Sequence, residues 1–254
     1  MAYVMGGDPD LRVSRRVIDA VVDGGADILE IGIPFSDPIA DGKSIQAAGT
    51  RALSSGTRPR DVLDLAGDVK SRRGIPVALM TYYNIVHSVG VEKFLDQARK
   101  RRVDAVIVPD LPLDEAGTLS SRARKRGIDT ILMAAPTTSS QRMRDVVKNT
   151  SGFLYLVSLL GVTGARSELK SDTVRLVKFA EKFTHGRVPL AVGFGLSKPE
   201  HVAGVLECGA DAAIVGSGIV DRVSRHGRGT EAMARDVERY VRSLKDATRA
   251  SRGS

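Results

Sequence analysis

Two carboxylates and two glycine-flanked turns are the residues of this sequence best suited to chemistry. Glu30 interrupts the apolar run Ile28-Leu29-Glu30-Ile31. A carboxylate at such a position must open onto a cavity or sit unpaired in the core, where burial penalises its charge and raises its pKa until it keeps its proton. A carboxylic acid protonated near neutrality is a general acid. The same glutamate bonded to a neighbouring backbone group or cation would be structural. Asp41 follows a loop that Pro34 and Pro38 stiffen. It can fold back to the same place, or it can cap the helix expected to begin near Lys43. Ser36 and Asp37 also suit turns. Later in the chain, Gly193-Phe194-Gly195 and Gly216-Ser217-Gly218 place glycines where backbone N–H groups can approach an anion closely. Gly161-Val162-Thr163-Gly164 offers a third wall of such a site. The surrounding stretch, residues 158–170, is long for a connection and is either a closing lid or a plain insertion.

The elements that must position these residues alternate along the chain. Short apolar runs recur at Tyr3–Met5, Ile28–Ile31, Val77–Met80, Ala105–Val108, Thr130–Met133, Phe153–Val157, Val188–Val192 and Ala212–Val215. Helix-length amphipathic stretches separate them, such as Val13–Val22 with its apolar 3.6-residue repeat. Eight strands alternating with helices predict a parallel sheet closed into a single-domain (β/α)8 TIM barrel, with a doubly wound open sheet as the alternative. In a barrel, loops after strands 7 and 8 commonly hold phosphate, and the two glycine turns fall there. A short repeat, Gly25-Ala26-Asp27, Val103-Asp104 and Gly209-Ala210-Asp211, precedes three of the strands. The barrel is expected over 1–246, with a disordered tail over 247–254.

Composition narrows the class further. The chain has 254 residues, 42% hydrophobic and 27% charged, which suits one large globular domain. Its start lacks a signal-peptide pattern, and its apolar runs are too short for a membrane span. The single Cys208 excludes an intrachain disulfide, fits a reducing cytoplasm, and reads as a structural thiol at a strand entry. The four histidines have no metal-ligand spacing, so no metal is expected. The net charge of +8 raises the question of nucleic acid. The basic clusters around Lys70–Arg73, Arg99–Arg102 and Arg122–Arg126 instead close helical segments, where cations complement the helix dipole, and no aromatics are interleaved for base stacking. Neither a nucleic-acid nor a membrane partner is expected.

The run from Leu29 through Gly32-Ile33-Pro34-Phe35-Ser36-Asp37-Pro38-Ile39-Ala40-Asp41-Gly42 resembles the signature of the tryptophan synthase alpha chain family. The resemblance continues in order through Gly7-Asp8-Pro9, Tyr82-Tyr83-Asn84, Val108–Pro112, Ala135–Thr138, Tyr155–Ser158, Gly161–Arg166, Val192–Gly195 and Ile214–Ser217. It implies retro-aldol cleavage of indole-3-glycerol phosphate to indole and glyceraldehyde 3-phosphate. It places the catalytic carboxylates on Glu30 and Asp41, a positioning tyrosine on Tyr155, and a lid threonine on Thr163. Phosphate contacts fall on Gly164, Gly195, Gly216 and Ser217. Tyr3, Met80, Phe194 and Ile214 match positions around the indole ring, where each also suits ordinary core packing. The resemblance implies no cofactor in this chain, a beta-chain partner carrying pyridoxal phosphate, and an alpha2-beta2 tetramer. Asp37, Pro38 and the segment from Tyr82 resemble the partner surface.

Three departures from the family pattern stand out. The chain starts almost at strand 1, where the family has a preceding helix under the barrel, so a barrel without that helix is expected. Lys43 and Ile85 stand where proline is usual, both near the expected partner surface. Met5-Gly6 replaces a threonine and a small residue ahead of Gly7.

Overall fold

A computed structural model describes residues 1–111, 113–157, 171–226 and 231–250. Strands and helices follow in the order β1 (Ala2–Met5), α1 (Leu11–Asp23), β2 (Leu29–Gly32), α2 (Lys43–Ser54), α3 (Pro59–Arg73), β3 (Val77–Met80), α4 (Tyr83–Val89) and α5 (Val91–Lys100). Then come β4 (Ala105–Ile107), α6 (Leu113–Arg124), β5 in two pieces (Asp129–Ile131 and Met133–Ala134), α7 (Ser140–Asn149) and β6 (Leu154–Val157). The last units are α8 (Ser171–Thr184), β7 (Leu190–Gly193), α9 (Pro199–Glu207), β8 (Ala212–Ala213), α10 (Ser217–His226) and α11 (Glu231–Ala250). Every strand pairs in parallel with the next. The ring closes where Val215 bridges Ala2, with Tyr3 N donating to Val215 O at 2.8 Å. This is the expected eight-stranded barrel.

The pleat sorts the strand residues into two layers. Val4, Leu29, Ile31, Val77, Leu79, Val106, Leu154, Leu156, Leu190 and Val192 face outward and pack under the helices. Tyr3, Met5, Ala78, Met80, Ala105, Ile107, Ile131, Tyr155, Ala191 and Ile214 fill the interior. Since strand side chains alternate faces, Glu30 between outward-facing Leu29 and Ile31 must point into the barrel. Its register partners there are Tyr3 and Ala78.

The basic clusters sit where the dipole argument puts them. Lys70, Arg72 and Arg73 close α3, Arg99 and Lys100 close α5, and Arg122 and Arg124 close α6. Many of them also meet acids on the neighbouring helix: Arg72 pairs with Asp19, Arg101 with Asp64, and Arg126 with Glu92 and Asp96. The aspartate repeat has a shared mechanical meaning at two of its three sites. Asp104 accepts from Val77 N at 2.7 Å and Asp211 from Leu190 N at 2.8 Å, each tying its own strand to the start of the one before. Asp27 instead takes Lys245 of the last helix at 2.6 and 2.8 Å.

Several expectations need correction. Helix α11 runs to Ala250, past the expected boundary at 246, because Val241, Leu244 and Ala247 continue one apolar stripe against the core; residues 251–254 lie outside the described residues. Ile85 is buried in the core at 7% exposure, so its side chain packs inward. Cys208 is half-buried and caps α9, its thiol donating to Val205 O at 3.1 Å.

Candidate active site

A cavity of about 520 Å3 opens at the C-terminal end of the barrel. Its wall includes Glu30 and Asp41, the apolar and aromatic Tyr3, Met80, Tyr155, Phe194 and Ile214, and the small residues Gly195, Gly216 and Ser217. Ten residues singled out from sequence thus converge on one space. Thr163, Gly164 and the expected lid at 158–170 lie outside the described residues. Asp37 and Pro38 belong to the loop before α2 but do not line the cavity; beside them Ile39 is 82% exposed.

Glu30 is fully buried, and neither carboxylate oxygen has a hydrogen-bond partner among the described residues. Burial pushes its pKa up to about 8, opposed by the positive charge of the N-terminus and helped by the nearby negative charge of Asp41. No group among the described residues satisfies this carboxyl through a hydrogen bond.

Asp41 does not cap α2. Gly42 occupies the cap position and makes no side-chain cap bond, so the Asp41 carboxylate is free to face the cavity. Its pKa rises to about 6 through burial, opposed by a hydrogen bond from Tyr82. Tyr82 was expected on a partner surface, yet it is 3% exposed. Its ring stacks on Phe35 at 5.1 Å, and its hydroxyl accepts from Ala40 N at 3.1 Å. It thereby holds the proline-stiffened loop at both Phe35 and the residues around Asp41.

The two interior tyrosines sit in equivalent settings. Tyr3 reaches across Gly32, where an added Cβ would stand 2.2 Å from its hydroxyl oxygen, and Tyr155 reaches across Gly193, where the separation would be 2.3 Å. In both pairs the glycine lies two residues beyond the tyrosine's register partner, Glu30 for Tyr3 and Ala191 for Tyr155. Phe194 meets the Tyr155 ring edge-on at 5.8 Å. Phe194 has φ 70° and Gly195 φ 77°. A phenylalanine in the left-handed region is unusual and marks a backbone held by its surroundings.

The glycine turn after β8 leads directly into α10, whose first residue is Ser217. The N–H groups of a first helical turn lack intrahelical acceptors and carry the positive end of the dipole. Gly216 lets this turn approach the barrel, since a Cβ there would meet the Tyr3 ring at 3.1 Å.

Sequence reasoning missed Lys43, Ser44 and Ile45 as cavity residues; they form the first turn of α2 and line the same space. The sequence places Lys43 only near the expected partner surface. It also missed Arg51, which anchors that helix. Arg51 Nε and one terminal nitrogen contact the two oxygens of Asp8, each at 2.7 Å. An Asp beside Gly7 and Pro9 was visible in the sequence, but nothing local pairs it with Arg51.

The chain as a whole is similar to known proteins. The family described as tryptophan synthase alpha chain matches residues 1–249. The chain belongs to the tryptophan synthase alpha chain family. Among its relatives, the tryptophan synthase alpha chain of Methanoregula boonei is 42% identical over 247 residues, covering 97% of this chain and 92% of that one. The Prochlorococcus marinus (strain MIT 9313) alpha chain is 44% identical over 97% of this chain and 88% of its own length. Among solved structures, the tryptophan synthase A-subunit of Pyrococcus furiosus superposes with a TM-score of 0.89 at 38% identity, covering 96% of each chain. A chain of the P. furiosus tryptophan synthase complex superposes with a TM-score of 0.87 at 36% identity, again over 96% of each. Family members of this kind are carbon–carbon lyases of tryptophan biosynthesis that act on indole-3-glycerol phosphate. In this tryptophan synthase alpha chain family member, no helix among the described residues is long and apolar enough to cross a membrane.

Proposed function

We propose that this cavity cleaves indole-3-glycerol phosphate, with Glu30 as the acid–base residue and Asp41 as the partner of the indole nitrogen. The observation that carries the assignment is that both carboxyl groups stand on the wall of one cavity, Glu30 without a hydrogen-bond partner among the described residues. Burial there raises the pKa of Glu30 to about 8 and that of Asp41 only to about 6. Between those values Glu30 holds a proton and Asp41 carries a charge. Environments that push two acids apart in this way assign the donor and the charged partner.

The chemistry follows from that pairing. Glu30 donates its proton to ring carbon 3 of the indole, and Asp41 accepts a hydrogen bond from the ring N–H, stabilising the positive charge that develops. The Glu30 carboxylate then removes the proton of the hydroxyl on the adjacent carbon. That carbon becomes the aldehyde of glyceraldehyde 3-phosphate as the C–C bond breaks, and the bonding pair returns to the ring as indole. Glu30 ends protonated, so the cycle closes. Tyr155, whose own pKa is raised by burial and by the charges of Glu30 and Asp41, positions the glutamate. Tyr3, Met80, Phe194 and Ile214 supply the apolar surface for the ring. Gly195, Gly216 and Ser217 receive the phosphate through backbone N–H groups and the serine hydroxyl. Thr163 and Gly164 complete the lid and the phosphate site in this reading.

The barrel is read as one domain, the protein as cytoplasmic, and its partner as a beta chain in an alpha2-beta2 assembly. Pyridoxal phosphate belongs to that beta chain, and this chain uses no cofactor. Asp37, Pro38 and the exposed Ile39 lie on the partner side. The test is Glu30→Gln, which should abolish indole formation while the fold, followed by circular dichroism, is kept. Near wild-type activity would remove Glu30 from its role.

A further inference from the structure

The last helix reaches the proposed phosphate site through one side chain. Tyr240 of α11 is 7% exposed, and its hydroxyl donates to Ser197 O at 2.8 Å. Ser197 lies two residues past Gly195, and its N–H donates to His201 Nδ1 at 3.2 Å, so both sides of this short turn are tied down. The same Tyr240 hydroxyl presses on the other glycine turn. An added Cβ on Gly218, in the first turn of α10, would stand 2.0 Å from the hydroxyl oxygen and 2.8 Å from the ring carbon that bears it. Tyr240 thus fills the space a side chain at Gly218 would need.

Arg222 fixes the ring itself. Its guanidinium lies 3.5 Å over the Tyr240 ring centroid, and it donates to Gly218 O at 2.8 Å. Asp236 of α11 faces Arg222 at 3.8 Å and His226 at 3.2 Å. The turn after β7, the first turn of α10 and the middle of α11 therefore meet at one buried phenol. A phenylalanine would keep the ring under Arg222 and lose only the hydroxyl, with its bond to the carbonyl of the turn after β7 and its contact at Gly218.

We propose that Tyr240 is a positioning residue for the phosphate subsite, holding the Gly195–Ser197 turn and the Gly216–Gly218 turn at the spacing one phosphate group requires. This inference rests on the phosphate reading of those two turns. It assigns to the last helix a part in substrate affinity, although Tyr240 does not line the cavity. Donors on two separate loops bind one anion well only if the distance between them is set beforehand.

The test compares indole-3-glycerol phosphate with indole-3-glycerol, which lacks the phosphate, on the full chain. Tyr240→Phe should raise KM for the phosphorylated substrate about three- to tenfold, the size expected of one lost hydrogen bond, with kcat kept within about twofold. For the unphosphorylated substrate kcat/KM should not change. Gly218→Ala should give the same selective loss by displacing the phenol, which keeps the inference testable if either variant folds poorly. An unchanged KM in Tyr240→Phe, or an equal loss on both substrates, overturns the inference. Ser217→Asp separates the two levels, because a carboxylate in the anion site must repel phosphate. If Ser217→Asp discriminates strongly against the phosphorylated substrate while Tyr240→Phe does not, the phosphate reading stands and the role of Tyr240 falls. If Ser217→Asp does not discriminate either, the phosphate reading fails and the inference falls with it.

Discussion

The hydroxyl of Tyr155 occupies the space a side chain on Gly193 would fill: a Cβ there would lie 2.3 Å from the oxygen and 2.6 Å from the ring. The clash would be with a ring held by Phe153 and Phe194 on either side, so the tyrosine could yield only by shifting its neighbours. Gly193→Ala is expected to destabilise the protein by about 1–3 kcal/mol, as overpacking does. It should also cut kcat at least tenfold if Tyr155 positions Glu30 as proposed, because the ring must shift. Denaturant melts and steady-state kinetics check both, and a variant with lowered stability but unchanged kcat would separate Tyr155 from catalysis.

Glu30 gives the protein a signed dependence of stability on pH. Below the ordinary value of 4.5 both folded and unfolded chains hold the proton. Above it the unfolded chain releases the proton while the folded chain keeps it up to about 8. Stability from this residue is therefore fully present below 4.5 and lost as pH rises towards 8, at up to about 1.4 kcal/mol per pH unit. Glu30→Gln removes that slope. Relative to the parent protein, the variant should gain on the order of 3 kcal/mol between pH 5 and pH 8, while losing activity. Urea titrations across this range measure the difference, and a flat difference would mean that Glu30 is not held protonated.

Tyr82 should tune Asp41. Its hydrogen bond lowers a pKa that burial has raised to about 6. In Tyr82→Phe that restraint is lost, so the acid limb of the kcat/KM profile should move to higher pH by about half a unit to one unit. The alkaline limb, which follows Glu30, should stay in place. A shift of both limbs, or of neither, would rule out this division of roles.

Asp8 and Arg51 should matter beyond stability. Asp8 is 4% exposed, and its partner belongs to the helix whose first turn lines the cavity. Asp8→Asn leaves Arg51 without its charge partner; because Arg51 is partly exposed and burial already raises the Asp8 pKa, the expected cost is about 1–2 kcal/mol. It should also lower kcat/KM. Asp68→Asn, which disturbs only exposed pairs with Arg15 and Arg72, should change stability by less than about 1 kcal/mol and leave kinetics alone. Equal effects of the two substitutions on kcat/KM would show that α2 is not held through Asp8.

Much of the site could be read from local pattern because its residues break rules their own segments set. A charged residue inside an apolar strand is visible without any partner, and so are glycines where two strands end. Parallel pairing followed from alternation, since parallel neighbours need a crossover helix between them, whereas a doubly wound sheet shows the same alternation with a different strand order. The extent of α11 was misjudged because the stripe Val241, Leu244 and Ala247 is sparse beside many charges, and only its packing shows that the helix continues.

By itself, the sequence determined the alternation of strands and helices, the misfit of Glu30 in an apolar strand, and the two glycine turns, since each follows from a period or a residue type within a few positions. Tertiary structure alone decided that Asp41 faces the cavity instead of capping α2, and that Tyr82 restrains it from another loop. It also decided that Arg51 holds Asp8, that Lys43, Ser44 and Ile45 enter the wall, and that Tyr240 reaches Ser197. These contacts join segments far apart in the chain. Their energies come from desolvation and from geometry across elements, and neither leaves a local signature in the order of residues.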